Sequence, residues 1–143
     1  MNSADILDDA IDEILALLRT VPHVEVYEGL VDEESVIEIG PGGSFKPYVI
    51  ATFSGTSKMP KRYRSMAGAK HSGEKVSVVV RCVAPSQPIG REVRKYVHNL
   101  LVGYAPKGCS EIDRALYYST GANDTKGSPT RFSEIQSYEM SVS

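Results

Sequence analysis

Two stretches rich in β-branched residues, PYVIATFSG at 47–55 and KVSVVVRCVA at 75–84, stand on either side of a long basic segment. Val, Ile, Thr and Tyr fit a pleated, half-buried surface, so the pattern predicts a hairpin from Tyr48 to Ala84. In its second arm Val76, Val78, Val80 and Cys82 alternate with Ser77, Val79, Arg81 and Val83. One face of that arm is wholly apolar and the other mixed, which suits a sheet with helices on one side and partial cover, or a partner, on the other. The segment between the arms, TSKMPKRYRSMAGAKHSGE, carries Lys58, Lys61, Arg62, Arg64 and Lys70 against Glu74 alone. Loops of this length without structure of their own are uncommon and tend to be functional or disordered.

The rest of the chain supplies cover for such a sheet. Over residues 3–20, Ile6, Leu7, Ile11, Ile14, Leu15 and Leu18 recur at three- and four-residue steps, predicting an amphipathic helix capped at Ser3. Asp5, Asp8, Asp9, Asp12 and Glu13 fill its other face near the N-terminal end, where negative charge suits the helix dipole. Val21-Pro22 ends it, and HVEVYE at 23–28 reads as a short strand with Val24 and Val26 opposite Glu25 and Tyr27. A second helix opens at Ser86 with Pro88 in its first turn and stops at Gly103. Its expected buried stripe is Ile89, Val93, Tyr96, Val97, Leu100 and Leu101, with Arg91, Glu92, Arg94, Lys95, His98 and Asn99 exposed. Two further strands, 111–119 and 131–142, flank a polar loop at 120–130. The expectation is an α+β fold: one domain over residues 1–143, with a mostly antiparallel sheet of about five strands, two helices packed on one face and a long hairpin loop.

Function is read first by exclusion. At 143 residues the chain suits one sizeable core, and two domains would each bury little surface. No apolar run approaches a membrane span. The start, MNSADILDDAIDE, is acidic where a secretory signal begins basic, so the expected setting is a cytosol or a particle assembled there. GPGGS at 40–44 has neither glycine-loop spacing for phosphate and reads as a turn. Cys82 reads as a small core residue and Cys109 as a strand start, and two cysteines are weak grounds for a disulfide. His23, His71 and His98 have no nucleophile or second ligand near them in sequence. The N-terminal acids lack the loop geometry of a calcium site. No catalytic, cofactor-binding or metal-ligating set is expected, and the chain reads as a binding or assembly protein rather than an enzyme.

Charge is where it is distinctive. Residues 1–47 hold eleven acids against Arg19 and Lys46, and residues 48–107 hold eleven bases against Glu74 and Glu92. Segregated charge favours head-to-tail association of identical subunits, because each copy carries both signs; compensation within one subunit fits the same pattern. The candidate contact residues are Lys58, Lys61, Arg62, Tyr63, Arg64 and Lys70 in the basic loop, and Asp8, Asp9, Asp12, Asp32, Glu33 and Glu34 on the acidic side. Lys61 to Arg64 sets an aromatic among positive charges, a combination that can clamp phosphates and stack a base. The mildly acidic whole weighs against a dedicated nucleic-acid binder and toward a protein contact, with an inert loop the remaining reading.

The order of elements resembles the tail terminator proteins of long-tailed (siphovirus-type) bacteriophages, particularly those infecting actinobacteria. The residues that carry the resemblance are LLRTVPHVEVYEG at 17–29, KPYVIATF at 46–53, VSVVVRCVA at 76–84, GREVRKYVHNLL at 90–101 and SYEMSVS at 137–143. The resemblance covers nearly the whole chain and rests on the order and spacing of motifs that are individually generic. The long acidic connection at 30–44 and the long basic loop depart from shorter members of that family. What the resemblance implies is a ring, usually of six subunits, on the head-proximal end of a finished tail tube. Its partners would be copies of itself, the tail tube protein and a head-tail connector or stopper protein, with genome DNA passing through unread. No cofactor, catalysis or membrane is implied, and the location would be the virion, or the host cytoplasm during assembly. A head-side neck protein would share the same ring logic.

Overall fold

The computed structural model describes the backbone of residues 3–29, 45–58, 74–123 and 131–142. The elements run α1 (Ser3–Leu18), β1 (Glu25–Glu28), β2 (Tyr48–Lys58), β3 (Glu74–Ala84), α2 (Gln87–Leu101), β4 (Asp113–Asn123) and β5 (Arg131–Val142). The strands form one sheet in the order β1-β2-β3-β5-β4. β1 runs parallel to β2, and the other neighbours are antiparallel. The fold is α+β, with both helices on one face.

Strand parity builds the core. In β3, Val76, Val78, Val80 and Cys82 turn toward the helices, opposite Met140, Tyr138, Gln136 and Glu134 of β5. Val49 and Ala51 of β2 continue that layer, and Val24 and Val26 reach it from beside and within β1. Onto it α1 sets Ala10, Ile14, Leu15 and Leu18, and α2 sets Val93, Val97 and Leu101. Burial of each of the larger apolar side chains stabilises by roughly 1.5–3 kcal/mol, which offsets the entropy of fixing two short helices that would not hold alone. The opposite sheet face carries a smaller cluster, Phe45, Tyr48, Ile50 and Val83, with Tyr27 packed beside it. Tyr27 meets Tyr48 edge to face at 6.1 Å between ring centroids, a favoured aromatic geometry.

The hairpin is present and longer than its composition predicts. Pairing continues past a register shift between Ser54 and Ser57 to Lys58 opposite Glu74. α1 stops at Leu18, two residues short of expectation, where the Thr20 hydroxyl donates to the Leu17 carbonyl at 2.6 Å. The strand expected at 111–119 instead spans Asp113–Asn123, so Thr120 to Asn123 belong to pairing rather than to the loop; a second shift, between Ser119 and Gly121, carries the ladder through. The acidic connection at 30–44, the basic loop at 59–73 and the end of the polar loop at 124–130 lie outside the described residues.

Both ends of the sheet are fixed by close contacts. Gly108, at φ +81°, passes so near α1 that an added Cβ would lie 2.8 Å from Ile6 Cγ2. Cys109 next to it bridges to Val142, which pairs with Glu74. The N-terminal half of α1 and the base of the basic loop therefore share one end of the sheet. At the other end Glu25 N–H donates to the Pro47 carbonyl, and Gly90 of α2 packs near Ala84.

Candidate assembly surface

The second helix makes the surface, because its two flanks meet different neighbours. Ser86 precedes it in extended geometry, and Pro88 in its first turn needs no N–H donor. Its buried residues are Gly90, Val93, Val97 and Leu101. The stripe expected from periodicity is too wide on one side: Ile89 and Tyr96 are 39% and 46% exposed. The cause lies beneath them. On that flank α2 faces the turn from α1 into β1, not the sheet, and the space between remains open. Val21, Pro22, Val24 and Pro47 form one wall and Ile89 and Tyr96 the other, enclosing about 340 Å³ with Glu92 and His23 at its margins.

The turn that shapes this groove is unusual. His23 has φ +60°, left-handed backbone that costs a residue with a Cβ roughly 1–2 kcal/mol. It turns the chain sharply after Pro22, so that Glu25 enters the sheet opposite Tyr48. Lys46 and Glu25 pair at 2.9 Å beside the groove, with both side chains about half exposed. Such surface pairs contribute ~0–1 kcal/mol.

The other flank of α2 carries polar residues that are covered. Arg94 Nε lies 2.7 Å from Glu134 Oε2, and the Glu134 side chain is only 4% exposed. Both were absent from the expected core, and Arg94 was expected exposed. The signal for Glu134 lay in parity: counting back by twos from Met140 and Tyr138 puts Gln136 and Glu134 on the helix-facing side. Beside the pair, Cys82 has its thiol pushed up to about 12 by burial first and by the Glu134 charge second, with Arg94 opposing. A thiol so protonated is a poor nucleophile, and both cysteines are free. Further along, Tyr138 Oη lies 3.5 Å from His98 Nδ1. Burial lowers the His98 pKa, and Arg114 and Arg94 lower it further. Burial likewise raises the Tyr138 phenol. These groups are held between helix and sheet and pair with one another.

The acidic helix face is placed as its periodicity implies: Asp8, Asp9 and Asp12 are exposed. Glu13 instead turns to the chain after α2, accepting from Tyr104 Oη at 3.2 Å and from the Lys107 N–H at 2.9 Å. Asp32, Glu33 and Glu34 lie outside the described residues, as do Lys61, Arg62, Tyr63, Arg64 and Lys70. Lys58 is the last residue of β2, so the basic segment leaves the sheet there. His71 lies outside the described residues, and His23 and His98 sit on opposite flanks of α2. Among the described residues no cluster of His, Cys, Asp and Glu could hold a metal ion, and no helix is long and apolar enough to cross a membrane.

No protein-family model and no curated protein matches the chain. Among solved structures it is similar to a chain in the virion of a native gene transfer agent particle, with a TM-score of 0.48 and 14% identity over 91% of this chain and 84% of that one. A likeness this loose carries no functional weight.

Proposed function

We propose that this chain is a structural subunit that closes into a ring of copies, six by the resemblance, and caps the head-proximal end of a viral tail tube. There it stops tube growth and presents the surface to which a head connector joins. The reading is carried by the run of motifs on which the resemblance rests. VPHV is the turn into β1, KPYVIATF enters β2 beside it, GREVRKYVHNLL is the body of α2, and SYEMSV falls in β5, between β3 and β4. What each supplies is a rigid body with outward-facing features. The capping task is to match the last tube ring on one side and refuse another tube subunit on the other, so mismatch matters as much as contact.

In this reading the acidic face of α1, Asp8, Asp9 and Asp12, with Asp32, Glu33 and Glu34 after β1, meets the basic middle of the adjacent copy. The basic loop, Lys58 through Lys70, reaches a neighbouring copy or the tube. Opposed charge fixes register and speeds encounter more than it adds affinity. The test is Lys61→Glu, Arg62→Glu and Arg64→Glu together, read by imaging of assembled tails. The expected result is a folded monomer with tails that overgrow or fail to join heads. Tails of normal length that join heads, with the triple variant or with no protein at all, would overturn the reading.

A further inference from the structure

We propose that the groove between the 21–24 turn and α2 is the seat for the basic loop, residues 59–73, of a second copy of this chain. The inference rests on the ring reading only in needing copies to meet.

The groove has the chemistry of a socket. Val21, Pro22, Val24, Ile89 and Tyr96 give it apolar walls, and the large exposed apolar residues of α2, Ile89 and Tyr96, stand on its rim. The acid at its margin is Glu92, and exposed Glu28 lies along the neighbouring edge strand, where Glu25 is already paired with Lys46. The loop has the complementary chemistry: Met59, Pro60, Tyr63 and Met66 set among Lys61, Arg62 and Arg64. An aromatic anchor entering an apolar pocket is the usual centre of a binding hot spot, and Glu92 at the margin adds one charge opposite to the loop's.

Chain geometry selects a second copy. The loop leaves and re-enters the sheet at Lys58 and Glu74, and the groove lies beside Pro47 and Tyr48 at the far end of the same strand. Ten residue steps of β-strand put those ends roughly 33 Å apart. Tyr63 stands five residue steps beyond Lys58, so its backbone reaches at most about 18 Å from the end of the strand. A subunit therefore cannot set its own Tyr63 into the Pro47 end of its own groove. Loop at one end and socket at the other is a heterologous pair, and such pairs repeat around a ring.

The test is photocrosslinking from the loop. A benzoylphenylalanine replacing Tyr63 is irradiated in a mixture of isotopically light and heavy protein, concentrated in solution and within assembled particles. The expected product joins position 63 of one isotope form to peptides holding residues 21–24 or 89–96 of the other. Tyr96→Asp and Ile89→Asp should each weaken self-association about tenfold or more in sedimentation, with unchanged circular dichroism. Crosslinks within one isotope form only, crosslinks to α1 or to another protein, or a chain monomeric under both conditions would overturn the proposal. Groove crosslinks in a chain missing from tails would sink the capping role and leave the socket standing. Normal capping with crosslinks elsewhere would do the reverse.

Discussion

The two flanks of α2 invert the rule by which a helix is usually read. On one flank the apolar Ile89 and Tyr96 stand exposed over an open groove. On the other the charged Arg94 is drawn against a buried carboxylate, and His98 lies near the Tyr138 hydroxyl. A monomer gains nothing from showing a tyrosine and an isoleucine to water, and covering a carboxylate costs several kcal/mol before pairing. The difference is between a flank whose polar groups pair within the chain and one whose apolar residues border an open groove. Scattered exposed apolar residues need no explanation, but two on the rim of one concavity do.

The strongest way to break this contrast is to remove the buried acid. Glu134→Ala leaves the Arg94 guanidinium beside an apolar gap under α2 and should cost about 2–4 kcal/mol in denaturant unfolding. A change under ~1 kcal/mol would mean that solvent reaches the pair and that this flank is as open as the other. A second variant sharpens the point. Replacing both partners by leucine, Arg94→Leu with Glu134→Leu, removes the desolvation cost along with the attraction, so the double change should lose less than Glu134→Ala alone. A double change costing as much or more would mean that the pair also fixes how α2 lies on the sheet.

How much of this was legible in the sequence follows from what sets each feature. Strand faces were legible because parity is local: Val76, Val78, Val80, Tyr138, Met140 and Val142 are buried as their alternation implies. Both helices were legible because period 3.6 and their breakers are local too. The flanks of α2 were not. Periodicity gives the direction of the buried stripe, but its width depends on which element closes each side, and that is a matter of topology. Periodicity places Ile89 and Tyr96 in the core because nothing near them in sequence says that the 21–24 turn stops short of them. Periodicity places Arg94 in solvent because its partner, Glu134, is forty residues away. β2 and β4 also run past the ends that composition implies, because their ladders continue through Gly55 and Gly121 by shifts in register. The loop and connection that carry most of the candidate contacts fall outside the described residues, so their placement rests on composition and chain length.

On the open flank the expected effect on stability is small, and its smallness is informative. Tyr96→Ala should change monomer unfolding by no more than about 1 kcal/mol, since nearly half of the residue already meets water. A loss near 2 kcal/mol would place Tyr96 in the subunit's own core and remove the reason to look for an occupant.

The smallest effect distinguishes the flanks by pH. His98 has its pKa held below the ordinary imidazole value of 6.5, by burial first and then by Arg114 and Arg94, with Tyr138 as its polar neighbour on β5. Below that ordinary value the unfolded chain binds a proton that the folded one resists, so the unfolded state gains as pH falls. The contribution is fully present above pH 6.5 and declines as pH drops from there toward the lower folded value. Replacing the group by His98→Phe should flatten this part of the stability curve, read as the change in urea midpoint between pH 7.5 and pH 5.5, about a unit either side of the imidazole range. On the groove flank, His23→Gly should instead raise stability by relieving the left-handed backbone. If the His98 variant kept the wild-type slope, the imidazole would be as free to protonate as one in water. The covered flank would then be covered only over Arg94 and Glu134, and the boundary between the covered and open sides of α2 would lie one turn nearer the middle of the helix.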